Sequence, residues 1–226
     1  MFDPFWKMFG PFWGGVIVMM ASIGLFIIII SFFIKKHIRD KCKQLSCLAE
    51  IKGYSFNYLD KGQLAAKYND YKVSDKKGRR GIPQNIIKAK VSDINITLFE
   101  CFYTLPAENG AVGYIDNVVM FSVIDTPSFI LRPRELSDRV CIKSDRYFKS
   151  HLNFSSKYVL SGENKSQVKS FFREAALTYF STSPDHKVEV RNSYIAIVWS
   201  GLREPEQYFS LIDESLSLWK LIKPSV

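Results

Sequence analysis

The sequence predicts an α+β protein: one N-terminal transmembrane helix followed by a single domain, in which an antiparallel sheet is covered by amphipathic helices. Three observations carry that prediction. Residues 12–34 run for 23 positions without a charge, and at about 1.5 Å per residue a helix of that length crosses a hydrocarbon core of roughly 30 Å. Between residues 85 and 124, three segments have the apolar patterning and length of strands. Further on, "NKSQVKSFFREAALTYF" and "EPEQYFSLIDESLSLWKLI" repeat apolar residues three and four apart, the stripe by which a helix meets a core.

Residues 1–11 read as a short extracytoplasmic N-terminus and 12–34 as the span. A signal peptide has a shorter apolar region and ends in small residues at a cleavage site, whereas this run ends in Phe32, Phe33 and Ile34 and then meets Lys35 and Lys36. The span is therefore expected to stay. Only Asp3 and Lys7 precede it, while Lys35, Lys36, Arg39, Lys41 and Lys43 follow it against Asp40 alone. Basic flanks remain on the cytoplasmic side, so the N-terminus is expected outside and residues 35–226 in the cytosol. Phe5, Trp6, Phe9, Phe12 and Trp13 suit an interfacial aromatic belt at the outer face.

The helical pattern continues past Lys35, with Ile38, Leu45, Leu48, Ala49 and Ile51 on one side until Gly53 ends it. Residues 35–52 are thus a basic juxtamembrane stalk, and 53–226 form the cytosolic α+β domain. "YNDYKVSDKKGRRGIP" is charged and carries Gly78, Gly81 and Pro83, which predicts an exposed loop. "NIIKAKV", "INITLFECFYT" and "DNVVMFSVI" then make a three-stranded antiparallel meander, with a turn at Ser92 and Asp93 and a second loop before Asp116. The last two strands are apolar on both faces, so both faces need cover. "TPSFILRPREL" predicts a short strand closed by Pro133 and then a brief helix. One helix is expected from Asn164, with Asn164 and Gln167 as its cap pair. "KVEVRNSYIAIVWSG" predicts a hairpin turning at Arg191 to Ser193, and Pro205 opens the last helix, which buries Tyr208, Phe209, Ile212, Leu216 and Trp219.

The formal charge of +9 falls entirely beyond residue 34. Part sits on the stalk and part on "KVSDKKGRRGIPQNIIKAK", where Lys76, Lys77, Arg79 and Arg80 cluster. Lys35, Lys36, Arg39, Lys41, Lys43, Lys76, Lys77, Arg79 and Arg80 are accordingly the candidate residues for binding lipid or a partner. The nearest anionic surface is the inner leaflet, which attracts juxtamembrane bases at about 1 kcal/mol each. Nucleic acid is not an expected partner on this reading, because the aromatics sit at core-periodic positions and only Tyr68 and Tyr71 accompany the loop charges.

A catalytic apparatus is not legible. His37, His151 and His186 are the three histidines, and none lies in a zinc or triad pattern. No phosphate-binding glycine motif opens an apolar helix. "SDRYFKSH" gathers Ser144, Asp145, Arg146, Lys149 and His151, a mixture common on ordinary surfaces. Glu100, Asp116 and Asp125 lie in or near the expected sheet, but their pairing across it cannot be read from one chain. The four cysteines, Cys42, Cys47, Cys101 and Cys141, make no C-x-x-C; Cys101 and Cys141 read as small buried residues, and Cys42 stands where a juxtamembrane palmitoyl group would attach. No catalytic residue, cofactor or metal is assigned.

From about residue 45 to 222 the chain resembles a group of uncharacterised bacterial single-pass inner-membrane proteins with a cytosolic domain of unknown function. The resemblance lies in "LFECFYT", where that group tends to show LFDY-x-Y, and in "PSFILRP", "YFKSHLNFSSKYVLSG", "QVKSFF" and "VEVRNSYIAIVW". Glu100 and Cys101 depart from the commoner Asp and Tyr. The resemblance implies a bacterial inner-membrane location and one domain, and it brings no catalytic residues. The expectation is a membrane-anchored cytosolic binding or scaffold module, engaging the bilayer, its anionic headgroups or a protein partner. The alternative is a membrane-bound hydrolase or nucleotide-handling enzyme whose site is assembled from residues distant in sequence.

Overall fold

The computed structural model describes residues 5–60, 62–74, 81–107, 110–135, 148, 150–182 and 186–223, with side chains from Val16 onward. The chain divides into two compact units, Met1–Gln44 and Leu45–Val226. Helix α1, Phe5–Ile51, supplies the first unit and enters the second. From Val16 it is long and apolar enough to cross a membrane: its most apolar stretch has a mean hydropathy of 2.9 and none of it is buried. The side chains of the expected aromatic belt lie outside the described residues. Gly53, at φ +70°, ends the helix, and Tyr54 N–H donates to the Ala49 carbonyl at 2.8 Å to close the final turn.

The second unit is built on an eight-stranded sheet, antiparallel throughout: β1 Ser55–Leu59, β2 Ile82–Val91, β3 Ile94–Ala107, β4 Gly110–Ser122, β5 Phe129–Pro133, β6 Tyr158–Gly162, β7 Lys187–Arg191 and β8 Tyr194–Ser200. Its order is β1-β2-β3-β4-β8-β7-β5-β6. The expected meander is β2-β3-β4, and Ser92, at φ +54°, makes the first of its turns. The second loop is much shorter than the sequence suggests, because pairing continues from Cys101↔Asp116 out to Ala107↔Gly110. Gly110, Gly113 and Pro106 look like loop residues, yet a two-stranded arm tolerates them where no third strand asks for their side chains or N–H groups. The β7–β8 hairpin turns on Asn192 and Ser193, both at positive φ (50° and 61°), the geometry whose twist suits a two-residue turn.

Strand alternation divides the sheet into two apolar faces. Ile87, Leu98, Val119, Phe129, Leu131, Val188 and Ile197 point to the first face. There, among the described residues, they meet the end of α1 and four helices: α3 Leu152–Lys157, α4 Lys165–Phe171, α5 Glu174–Thr182 and α6 Pro205–Ile222. Phe99, Cys101, Tyr103, Val118, Met120, Ala196 and Val198 point to the second face, against Tyr68 of α2 (Gln63–Asn69) and the 3-10 turn Lys72–Ser74. Tyr71 and Val73 are buried in the same cluster, so the front of the expected exposed loop is core. Residues 75–80, like the stretch after Glu135 where the brief helix was expected, lie outside the described residues.

The single helix expected from Asn164 is two. Its start is as read, with Gln167 N–H donating to Asn164 Oδ1 at 3.0 Å, but Phe172 is extended (φ −81°, ψ 118°) and separates α4 from α5. The break lets adjacent rings converge on one partner: Phe171 and Phe172 lie 6.2 and 5.0 Å from the Phe129 ring. The last helix opens with Pro205 and a capping box between Glu204 and Gln207, as its sequence requires, and buries Leu211, Ser215, Leu218 and Ile222 besides Tyr208, Phe209, Ile212 and Trp219 of the expected stripe, whose Leu216 is half-buried against the core.

Candidate functional site

Lys35, Lys36, Arg39 and Lys43 are exposed along α1, and Lys41 is half-buried. At about 100° of rotation per residue, the first four fall within an arc of about 100° and present one basic stripe, from which Lys41 is turned away. Lys76, Lys77, Arg79 and Arg80 lie outside the described residues. So do Ser144, Asp145, Arg146, Lys149 and Cys141.

The carboxylates considered for chemistry do not converge. Glu100 pairs with Asn117, and Cys101 with Asp116, so Glu100 and Asp116 occupy opposite faces of the sheet. Asp125 sits in an exposed turn at φ +52°. Glu100 belongs to a buried polar nest made by a β-bulge between Gln84 and Ile87. Asn85 takes φ +52° there and turns inward, where its Nδ2 donates to Glu100 Oε2 at 2.7 Å. The Tyr208 hydroxyl donates to the Asn85 carbonyl at 2.9 Å, and burial, then the Glu100 charge, push its phenol well above the ordinary range. Asn117 ties the end of β8 by donating to the Gly201 carbonyl at 2.6 Å. This nest joins α6 to the sheet.

His37 is exposed on α1. His186 is buried, its ring tilted at 50° to that of Trp199 with centroids 4.0 Å apart, and its Nε2 lies 3.4 Å from the Tyr179 hydroxyl. His151 Nε2 lies 3.9 Å from Glu174 on the surface. Among the described residues, no group of three or more His, Cys, Asp or Glu could hold a metal ion. Cys101 is buried as expected, Cys42 is half-buried and Cys47 exposed.

Glu189 is a buried acid of the second face, as is Asp116. Its Oε2 accepts the Val73 N–H at 2.9 Å and so fastens the 3-10 turn over the sheet. Burial raises its pKa; the backbone N–H bonds from Val73 and Lys72 oppose the shift without cancelling it. An acid whose folded pKa is raised holds its proton longer in the folded chain, so stability falls as pH rises through that pKa and is recovered on acidification. The melting temperature of the native chain, measured relative to that of Glu189→Gln, should therefore rise as pH falls from neutral towards the ordinary carboxylate range. A difference independent of pH would show that Glu189 titrates alike in the folded and unfolded chains.

Beside this turn, the second face leaves a cleft of about 480 Å³ between α2 and strands β1–β4 and β8. Its floor is Ile86 and Met120, both 3% exposed. Thr97 stands beside them, and Lys67, Lys88 and Asn57 are exposed at its rim. The Lys67 ammonium lies over the Tyr194 ring, 3.0 Å from its centroid. The alternation of "NIIKAKV" makes Lys88 legible as a sheet-face lysine. The meeting of Lys67 with Tyr194 is not, since it depends on α2 folding onto a strand more than a hundred residues away. Comparison with protein-family models, with curated proteins and with solved structures finds no match to this chain.

Proposed function

We propose that this chain is a membrane-anchored cytosolic binding module, held in a bacterial inner membrane by one span and bound to anionic lipid headgroups by the basic stripe that follows it. One observation carries the reading. A single helix passes without a break from the exposed apolar residues after Val16 into exposed Lys35, Lys36, Arg39 and Lys43. Exposed apolar side chains in such number favour hydrocarbon, and the bases directly after them favour the cytosolic leaflet.

Topology and lipid binding test the two halves separately. A C-terminal fluorescent protein that matures only in the cytosol should glow, and a periplasmic phosphatase in the same place should be inactive. The reverse pattern would place the N-terminus inside. Residues 35–226 should bind vesicles containing phosphatidylglycerol and release them as salt rises, since exposed charges are screened over about 8–10 Å at ordinary ionic strength. Replacing Lys35, Lys36, Arg39, Lys41 and Lys43 with Gln should weaken that binding by a few kcal/mol, at about 1 kcal/mol per base. Equal, salt-independent binding to neutral vesicles would leave the stripe without a lipid role.

A further inference from the structure

We propose that the cleft on the second sheet face holds a small soluble organic anion, its apolar body on Ile86 and Met120 and its phosphate or similar group at Lys67 and Lys88. The charged groups of the cleft, Lys67 and Lys88 against Asp60, leave one positive charge in excess. Asp60 is held at the start of α2, where Oδ1 accepts the Leu64 N–H at 3.2 Å and Oδ2 the Ala65 N–H at 2.7 Å, bonds that direct the carboxylate to the helix and leave its charge in place. The two ammonium groups share the rim with the amide donors of Asn57 and Asn95, and the Thr97 hydroxyl lies further in, a donor-rich set suited to an anion. Lys67 is positioned over Tyr194 rather than extended into solvent. Lys88 is directed to the same face because Thr97 and Ser55 flank it across β3 and β1. A volume of about 480 Å³ lies within the range of small-molecule sites.

The order of polarity selects the kind of anion. A site for a lipid headgroup takes the charge inward and leaves the chains outside in the bilayer. Here the buried floor is apolar and the bases are at the mouth, so the apolar part enters and the charge stays at the rim.

The test uses the full chain in nanodiscs of neutral phosphatidylcholine, with 1-naphthyl phosphate as the probe and calorimetry as the readout. The probe should bind saturably, whereas 1-naphthol, which lacks the charge, and inorganic phosphate, which lacks the body, should each bind at least about tenfold more weakly. Lys67→Gln and Lys88→Gln should each weaken the probe by about tenfold with unchanged melting temperature. Lys169→Gln, on an exposed position of α4, should leave it unaltered. Absence of saturable binding, or equal affinity in both cleft variants, would overturn the proposal. So would equal competition by glycerophosphoglycerol, a bare headgroup, because the apolar floor would then contribute nothing.

Discussion

Phe129→Ala should destabilise the Leu45–Val226 unit by about 3–5 kcal/mol, the usual cost of removing a large buried aromatic, and should lower its melting temperature and denaturant midpoint together. Phe129 is 1% exposed and stands in β5, between β6 and β7. It is the ring on which Phe171 and Phe172 close, and the Phe148 ring lies 6.5 Å from that of Phe172 at a tilt of 55°. Truncation would remove the shared partner that justifies the break between α4 and α5, so neither helix could refill the space by a side-chain rotation alone. Phe129→Leu retains most of the volume and should cost less than half as much. Equal costs for the two substitutions would show that ring geometry, rather than volume, holds this corner together.

Side chains that follow a local period made much of this fold readable in advance. The three-stranded meander, the turns at Ser92 and Asn192, and the cap at Asn164 are each decided by residues a few positions apart, and the structure has them where the patterns put them. The losses share a cause. β1, α2, α3 and β6 are five to seven residues long, too short for periodicity to register, and they exist because the sheet and its neighbours supply partners for them. The break at Phe172 and the outward run of β3 and β4 through Pro106 and Gly113 likewise depend on tertiary pairing. At the candidate sites, the stripe on α1 was legible because one helix carries it. The cleft was not, since Lys67, Lys88 and Tyr194 come from three elements. Nor was the separation of Glu100 from Asp116, which follows from a register that only the folded sheet fixes.

Leu45 marks a further place where the fold exceeds its sequence pattern, and it yields the sharpest expected loss of folding. The apolar residues assigned to one side of the stalk do not act alike: Ile38 and Ile51 are 44% and 76% exposed, whereas Leu45 and Ala49 are fully buried in the main core, with Leu48 packed against it. The last two turns of α1 are therefore part of the domain, which does not begin at Gly53. Leu45→Asp in the full chain should cost at least about 3 kcal/mol, because it removes a buried leucine and places a carboxylate in an apolar core. Against a typical stability of about 5–15 kcal/mol, that is a large share of what keeps the unit folded. A chain beginning at Lys43 should unfold in one cooperative transition. One beginning at Gly53 should lose that transition and expose the apolar side chains of α6, including Phe209, whose ring stacks with Tyr54 at 6.3 Å. Matching cooperative transitions in the two truncated chains, with Leu45→Asp melting as the native chain does, would return the last turns of α1 to the role of a stalk.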